Sequence, residues 1–263
     1  MSQNGQGVGV VGTESAAELG TVAAEPWSTT HDHLAGEVIG RHRHDCHQLL
    51  YVSAGVLAVR TGEASFVASS ARAVWIPAGV WHEHRVHGHS SVHTLAFAVD
   101  DVLVRSAGPV VVAVDALVRE LVIACSEPSL PRPEARRLRA VLRDRLRRAL
   151  VEPLALPAPD NPLLRRACAL VTDDLRQPRT AAWLARSVGV SERTLARLFR
   201  TEFGMTYPQW RTNVRVFRAM VLLAEGASVS AAGRACGWAT TSAFIDTFSR
   251  TMGRTPGTYR LGR

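Results

Sequence analysis

The sequence predicts an α+β protein of two domains, a small antiparallel β-barrel followed by an all-α domain with two helix-turn-helix units. Three observations point there. All ten histidines lie between His31 and His93. Short β-rich runs punctuated by Gly, Ser and Pro occupy much the same stretch, and amphipathic helical patterns occupy 163–263. At 263 residues, 46% apolar and 21% charged, the chain is long enough for two ordinary cores.

Residues 1–25, rich in Gly, Ser, Ala and Gln without periodicity, read as a disordered tail. The barrel domain spans 26–108, where HQLLYVS, GVLAVR, ASFVA, AVWIP and VHTLAFAV read as strands. From 109 to 151 the pattern turns helical, first in VVVAVDALVRELVIAC and then in PEARRLRAVLRDRLRRAL. The second helix repeats Leu138, Leu142 and Leu146 at four-residue spacing. Such a stripe packs within its own chain or pairs two copies into a homodimer. Pro153, Pro157, Pro159 and Pro162 forbid a continuous helix and predict a stiff extended linker over 152–162.

Beyond it one pattern occurs twice: a short helix, a turn at glycine, then a helix opened by a hydroxyl residue. In TAAWLARSVGVSERTLARLFRTEFG, Gly189 makes the turn and Ser191 caps the second helix. Leu184, Ala185, Val188, Leu195 and Phe199 face inward, which leaves Arg193, Thr194, Arg197 and Arg200 outward, suited to a major groove and its phosphates. In SVSAAGRACGWATTSAFIDTFSRTMG, Gly237 makes the turn and Thr240 the cap. There Ala232, Ala235, Trp238, Phe244 and Phe248 are the expected packing positions, and Thr241, Ser242, Ile245 and Asp246 face outward. A long amphipathic helix, TYPQWRTNVRVFRAMVLLAEG, joins the units.

Residues 163–263 resemble the AraC/XylS family DNA-binding domain, through LA..VGVS.RTL.R.F, FG....QW....R...A..LL, GW.T.SAF...F and the closing MGRTPGTYR, in order. The resemblance implies two recognition helices held by a long helix and inserted into successive major grooves of promoter DNA, with RNA polymerase a further partner. Charge agrees with it. The whole chain carries +8, while 161–263 holds 16 Arg against 6 Asp and Glu.

The earlier stretch GEVIGRHRHDCHQLLYVSAG sets Gly36, His42, His44, Gln48 and Gly55 at the spacing of the first cupin motif, and PAGVWH adds Pro77, Gly79 and His82 at that of the second. This resembles a cupin, a double-stranded β-helix barrel, which AraC-type regulators often carry as an effector-binding domain. Residues two apart on a strand share a face, so His42 and His44 both look inward. With Gln48 and His82 they could hold one divalent transition metal, since neutral imidazoles suit zinc, nickel, copper or iron. They could also line a metal-free pocket for a small organic ligand, or remain as lining only. Gln48 stands where cupins usually have glutamate. His84, His87 and His89 follow closely enough to contribute ligands, although histidines in a polar loop are more often simply solvated.

The expected function is sequence-specific regulation of transcription, with the barrel sensing a small molecule or metal ion, rather than catalysis. A metal-dependent cupin enzyme fused to a DNA-binding module, or a barrel that only dimerises, are the other classes. Cys46, Cys125, Cys168 and Cys236 form no CxxC pair, and no apolar run approaches the roughly 20 residues of a membrane span, so a cytoplasmic protein without membrane attachment is expected.

Overall fold

A computed structural model describes residues 27–101, 103–104, 106–152 and 155–260; the expected tail at 1–25 lies outside them. Nine strands among the described residues form a rolled, wholly antiparallel sheet. They are β1 (Ser28–His33), β2 (Val38–His42), β3 (His47–Thr61), β4 (Ala64–Ala68), β5 (Arg72–Ile76), β6 (His82–Phe97), β7 (Val110–Ala113), β8 (Val151–Glu152) and β9 (Leu156–Pro157).

The long strands β3 and β6 pair along their lengths and organise the rest: β4 and β5 line the other edge of β3, while β1 and β2 share the other edge of β6. Register shifts between Val52 and Val56 bend β3, as a strand serving two walls of a barrel must bend. Gly55 sits at that bend with φ +80°, where a Cβ would lie 2.0 Å from the Ser90 hydroxyl. Leu50, Val52, Leu57, Val59, Ile76 and Val92 belong to the buried interior. The outer face of the same strands, with Leu49, Trp75 and Phe97, packs under α1 (Ala116–Cys125) and α2 (Arg132–Leu146).

Three sequence expectations change here, and one open alternative closes. VVVA at 110–113 is a strand, because a β-branched run beside an open edge of β5 gains ladder hydrogen bonds; the helix starts only after the Asp115 cap. The proline-rich 152–162 segment is no free linker, since Leu156–Pro157 pairs with Ala64–Ser65 and the Ala158 amide donates to the Glu63 carbonyl at 2.7 Å. Leu142 and Leu146 are buried against α1 and the barrel, with Leu138 partly buried beside them, so this stripe offers no seam to a second copy. Finally, the polar segment holding His84, His87 and His89 is not a loop but part of β6.

The helical half begins with α3 (Pro162–Asp173), followed by α4 (Ala181–Val188) and α5 (Glu192–Phe203) as the first helix-turn-helix unit. Next come α6 (Tyr207–Ala224), then α7 (Val229–Ala235) and α8 (Thr241–Met252) as the second unit, and α9 (Pro256–Arg260). Leu164, Val171, Leu184, Leu195, Phe199 and Trp210 are central to the first unit's core.

The second unit's core contains Met220, Ala232, Phe244 and Phe248 together with the barrel residues Val56, Val67 and Ala71. Ala235, an expected packing residue, is exposed; Cys236 is buried in its place, which moves the inward face by one position at the helix end. Buried Arg72 of β5 reinforces the docking by donating to the Thr251 carbonyl at 3.3 Å, in the last turn of α8. At the end of α6 the Glu225 carboxylate meets His87 Nδ1 at 3.2 Å, and a Cβ on Gly88 would lie 2.3 Å from the Ala224 carbonyl oxygen.

Candidate functional site

The histidine cluster is built by two adjacent strands. His42 ends β2 opposite His82, the first residue of β6, and Ile39 pairs with His84. Burial alternates strictly along β6 from His82 to Ser90, so His82 and His84 point inward with Val86, Gly88 and Ser90. Ring centroids separate His42 from His82 by 4.3 Å, His42 from His84 by 5.3 Å and His82 from His84 by 5.0 Å. His44 stands 4.9 Å from His42 and 5.7 Å from His82, with Trp27 on its other side at 5.8 Å.

Hydrogen bonds prepare two of these rings. His82 Nδ1 lies 2.8 Å from the Val80 carbonyl and His42 Nδ1 2.7 Å from the Gly40 carbonyl. A carbonyl accepts only, so each Nδ1 carries the proton and each Nε2 keeps a lone pair. His82 Nε2, both ring nitrogens of His84 and Gln48 Oε1 are buried without a hydrogen-bond partner. His82, His84 and Gln48 are 1%, 5% and 2% exposed, so water does not compensate them from bulk.

Burial, and to a lesser degree the neighbouring imidazoles, favour the neutral form of His44, His82 and His84. Desolvation drives His82 down to about 4, against partial support from its Val80 hydrogen bond. It drives His84 well below the ordinary value and lowers His44 too. Neutral imidazoles with free lone pairs are the form that binds a metal ion. The donor chemistry fits the metal that a cupin implies: of the residues singled out for it, His42, His44 and His82 lie together. His84 stands with them, the one member of the His84, His87 and His89 group that enters the cluster. Gln48 lies buried among the barrel strands with its carbonyl oxygen unpaired. The pattern that could have revealed His84 is the alternation His82, His84, Val86, Gly88, Ser90. It is period-two, but too polar to stand out as a half-buried strand.

In the helical half, Gly189 closes α4 with φ +78° and Ser191 caps α5, its hydroxyl accepting from the Thr194 amide at 3.1 Å. Arg193, Arg197 and Arg200 are exposed along α5, and Thr194 is half-buried with its hydroxyl 2.9 Å from that of Ser191. Thr240 caps α8, accepting from the Ala243 amide at 3.2 Å, and Thr241, Ser242 and Ile245 are exposed after it. Asp246, also exposed, has Arg250 at 3.7 Å one turn on.

The two units are fixed to each other through α6, an 18-residue strut of about 27 Å. Arg211 donates to the Gln177 carbonyl at 2.7 Å, and Arg215 lies over Trp238 at 3.9 Å while donating to the Cys236 carbonyl. Part of the domain's positive charge is thus structural. The Gly237 turn, φ +82°, rests on the end of α3 so closely that a Cβ would lie 2.3 Å from the Leu175 carbonyl oxygen.

Comparison with known proteins agrees with this architecture. Residues 28–98 match the cupin domain family and 184–262 a helix-turn-helix domain family. The HTH-type transcriptional regulator NimR of Escherichia coli is 28% identical over 221 residues, 83% of this chain and 81% of that protein. The arabinose operon regulatory protein of Salmonella typhimurium is 29% identical over 119 residues, 44% of this chain and 42% of that one. Among solved structures, an AraC-type transcriptional regulator of Chromobacterium violaceum aligns at 31% identity over 38% of this chain and 90% of that chain, with a TM-score of 0.37.

A cupin joined to paired helix-turn-helix units defines the class, a DNA-binding transcriptional regulator with a cupin-like ligand-binding domain. Within that class the chain is similar to regulators of the AraC type, the arabinose operon regulatory protein among them. None of its described helices is long and apolar enough to cross a membrane.

Proposed function

We propose that this regulator binds promoter DNA through α5 and α8 and that its barrel is a sensor holding one divalent transition-metal ion among the clustered histidines. The base-facing set is Arg193, Thr194, Arg197 and Arg200 of α5 with Thr241, Ser242 and Ile245 of α8; the caps Ser191 and Thr240 sit nearest the phosphates. One observation carries the metal: three imidazole nitrogens, His82 Nε2 and both of His84, are buried, lack any hydrogen-bond partner and sit beside His42. A buried polar atom without a partner costs about 1–3 kcal/mol, and a bound cation removes that cost at the one lone-pair nitrogen that each ring turns toward it. When bound, such an ion supplies a Lewis-acidic anchor for a small ligand.

The role is sensing rather than turnover, since the curated relatives are transcriptional regulators and Gln48 stands where cupins usually have glutamate. The protein would act in the cytoplasm, on DNA and through RNA polymerase. A homodimer would have to form through a surface other than the Leu138, Leu142 and Leu146 stripe.

The test is the metal content, by elemental mass spectrometry, of tag-free protein purified without chelator, beside a His42→Ala/His82→Ala variant, with duplex affinity measured before and after metal removal. Near-stoichiometric metal lost in the variant, together with a metal-dependent change in DNA affinity, is the expected result. Wild type that takes up no metal would leave the same pocket to a small organic effector.

A further inference from the structure

The geometry points to a ligand set of His42, His82 and His84, centred on strand β6, in place of the His42, His44, Gln48 and His82 set that the cupin motifs imply. This rests on the metal-sensor proposal above and says which residues hold the ion and which ions they select.

Four features of the pocket lead to it. The donor atoms of His42, His82 and His84 all lie within 4.8 Å of one another. An ion bound tetrahedrally at about 2.1 Å draws its ligands to about 3.4 Å apart, a closure that imidazole rotation can supply. His44 falls outside that group and lies beside Trp27. His84 is 5% exposed with neither ring nitrogen hydrogen-bonded, and its inward direction is set by the ladder, because Ile39 of β2 and Val59 of β3 pair with it on either side. In His82 and His42 the Nδ1 proton is already directed at a backbone carbonyl, which presents Nε2 to the centre.

Chemical class follows from the donors. Three neutral imidazoles with no carboxylate disfavour magnesium, calcium and manganese, which prefer oxygen, and favour zinc, copper, nickel or cobalt. The ion's double positive charge is left uncompensated by any of the three ligands. The remaining coordination position is therefore suited to water, hydroxide or a small anionic ligand.

Position along β6 gives the set a consequence. His84 lies three residues before His87, whose ring meets Glu225 at the end of α6, and four before Gly88, which abuts the Ala224 carbonyl. A metal held by His82 and His84 is thereby anchored on the strand that touches the second DNA-binding unit.

The test uses the full-length protein, stripped and reloaded with cobalt(II) or zinc, in wild type and in His84→Asn, His44→Asn and Gln48→Ala variants, with thermal unfolding of the metal-free proteins as a folding check. Cobalt gives a visible absorption spectrum that reports its ligands, and competition with a chromophoric chelator gives zinc affinity. The expected result is one equivalent bound by wild type, with His84→Asn losing more than 100-fold in affinity and changing the cobalt spectrum. His44→Asn and Gln48→Ala should stay within the roughly 10- to 100-fold range typical of residues outside the coordination shell and keep the wild-type spectrum. A folded His84→Asn protein that binds zinc like wild type, while His44→Asn does not, overturns this ligand set and leaves the metal sensor standing. Wild type that binds neither ion overturns both. Magnesium or manganese competing equally with zinc would overturn the assigned class.

Discussion

The two helix-turn-helix units share a plan but differ in what completes them. The first closes around its own residues, with Phe199, Phe203, Tyr207 and Trp210 stacked together and little from the barrel beyond Leu156. The second takes Val56, Val67 and Ala71 of the barrel into its core and has the end of its recognition helix held by Arg72. Their outward faces differ as well. Three exposed arginines run along α5, whereas α8 shows Thr241, Ser242, Ile245 and an Asp246 paired with Arg250. The first unit presents the more positive outward face. The second is tied to the barrel through its core.

The largest effect expected to break this arrangement is at the joint between the units. Gly237→Ala combines a left-handed backbone with a Cβ 2.3 Å from the Leu175 carbonyl oxygen. It should cost more than about 2 kcal/mol in chemical denaturation and disturb both units together. An unchanged midpoint would mean that the units are not held as described.

The asymmetry of the outward faces comes next. Arg197→Ala should weaken specific duplex binding by about 1–3 kcal/mol, roughly 5- to 150-fold at fixed salt, and Ile245→Ala by less. A titration in which the Ile245 variant is the weaker binder would invert the assigned roles.

Docking of the second unit is tested by Arg72→Met, which removes a buried donor to the last turn of α8. A loss of about 1.5–3 kcal/mol is expected, with amide exchange accelerated in α8 and unchanged in α5.

Acid should separate the halves in the same order. Burial holds His82, His84 and His93 below the ordinary 6.5, so the unfolded chain takes up protons that the folded barrel refuses. For the metal-free protein this contribution to stability is intact above pH 6.5, is lost progressively below it, and for His82 is fully lost by about pH 4. Exchange measured down that range should rise first in the barrel and α8, and last in the core of α3 to α5, which has no histidine.

The smallest effect belongs to the His87–Glu225 pair, with Glu225 41% exposed. Glu225→Gln should change stability by no more than about 0.5 kcal/mol. A larger loss would make this contact, rather than Arg72, the principal tie between the halves.

Much of the molecule was legible from residue patterns. Gly189 and Gly237 marked the turns, Ser191 and Thr240 the caps, and the inward Leu195, Phe199, Phe244 and Phe248 lie where helical periodicity puts them. Misreadings arose where a residue's local chemistry and its tertiary use diverge. Histidine looks polar, so the alternating β6 segment resembled a loop. Val110–Ala113 looked like part of an apolar helix until β5 offered it an edge, and prolines that forbid helix did not forbid a two-residue strand against β4.

The sequence by itself determined the two-domain order, the paired recognition helices, the excess of positive charge over the DNA-binding half and the presence of inward histidines. Those depend on spacing, capping and composition, which act over a few residues. Only the tertiary structure decided that His84 joins His42 and His82, that the leucine stripe of α2 is buried against its own barrel, and that the barrel completes the second unit rather than the first. Each of those is a contact between segments distant in the chain, set by strand register and by which apolar faces were left to cover one another.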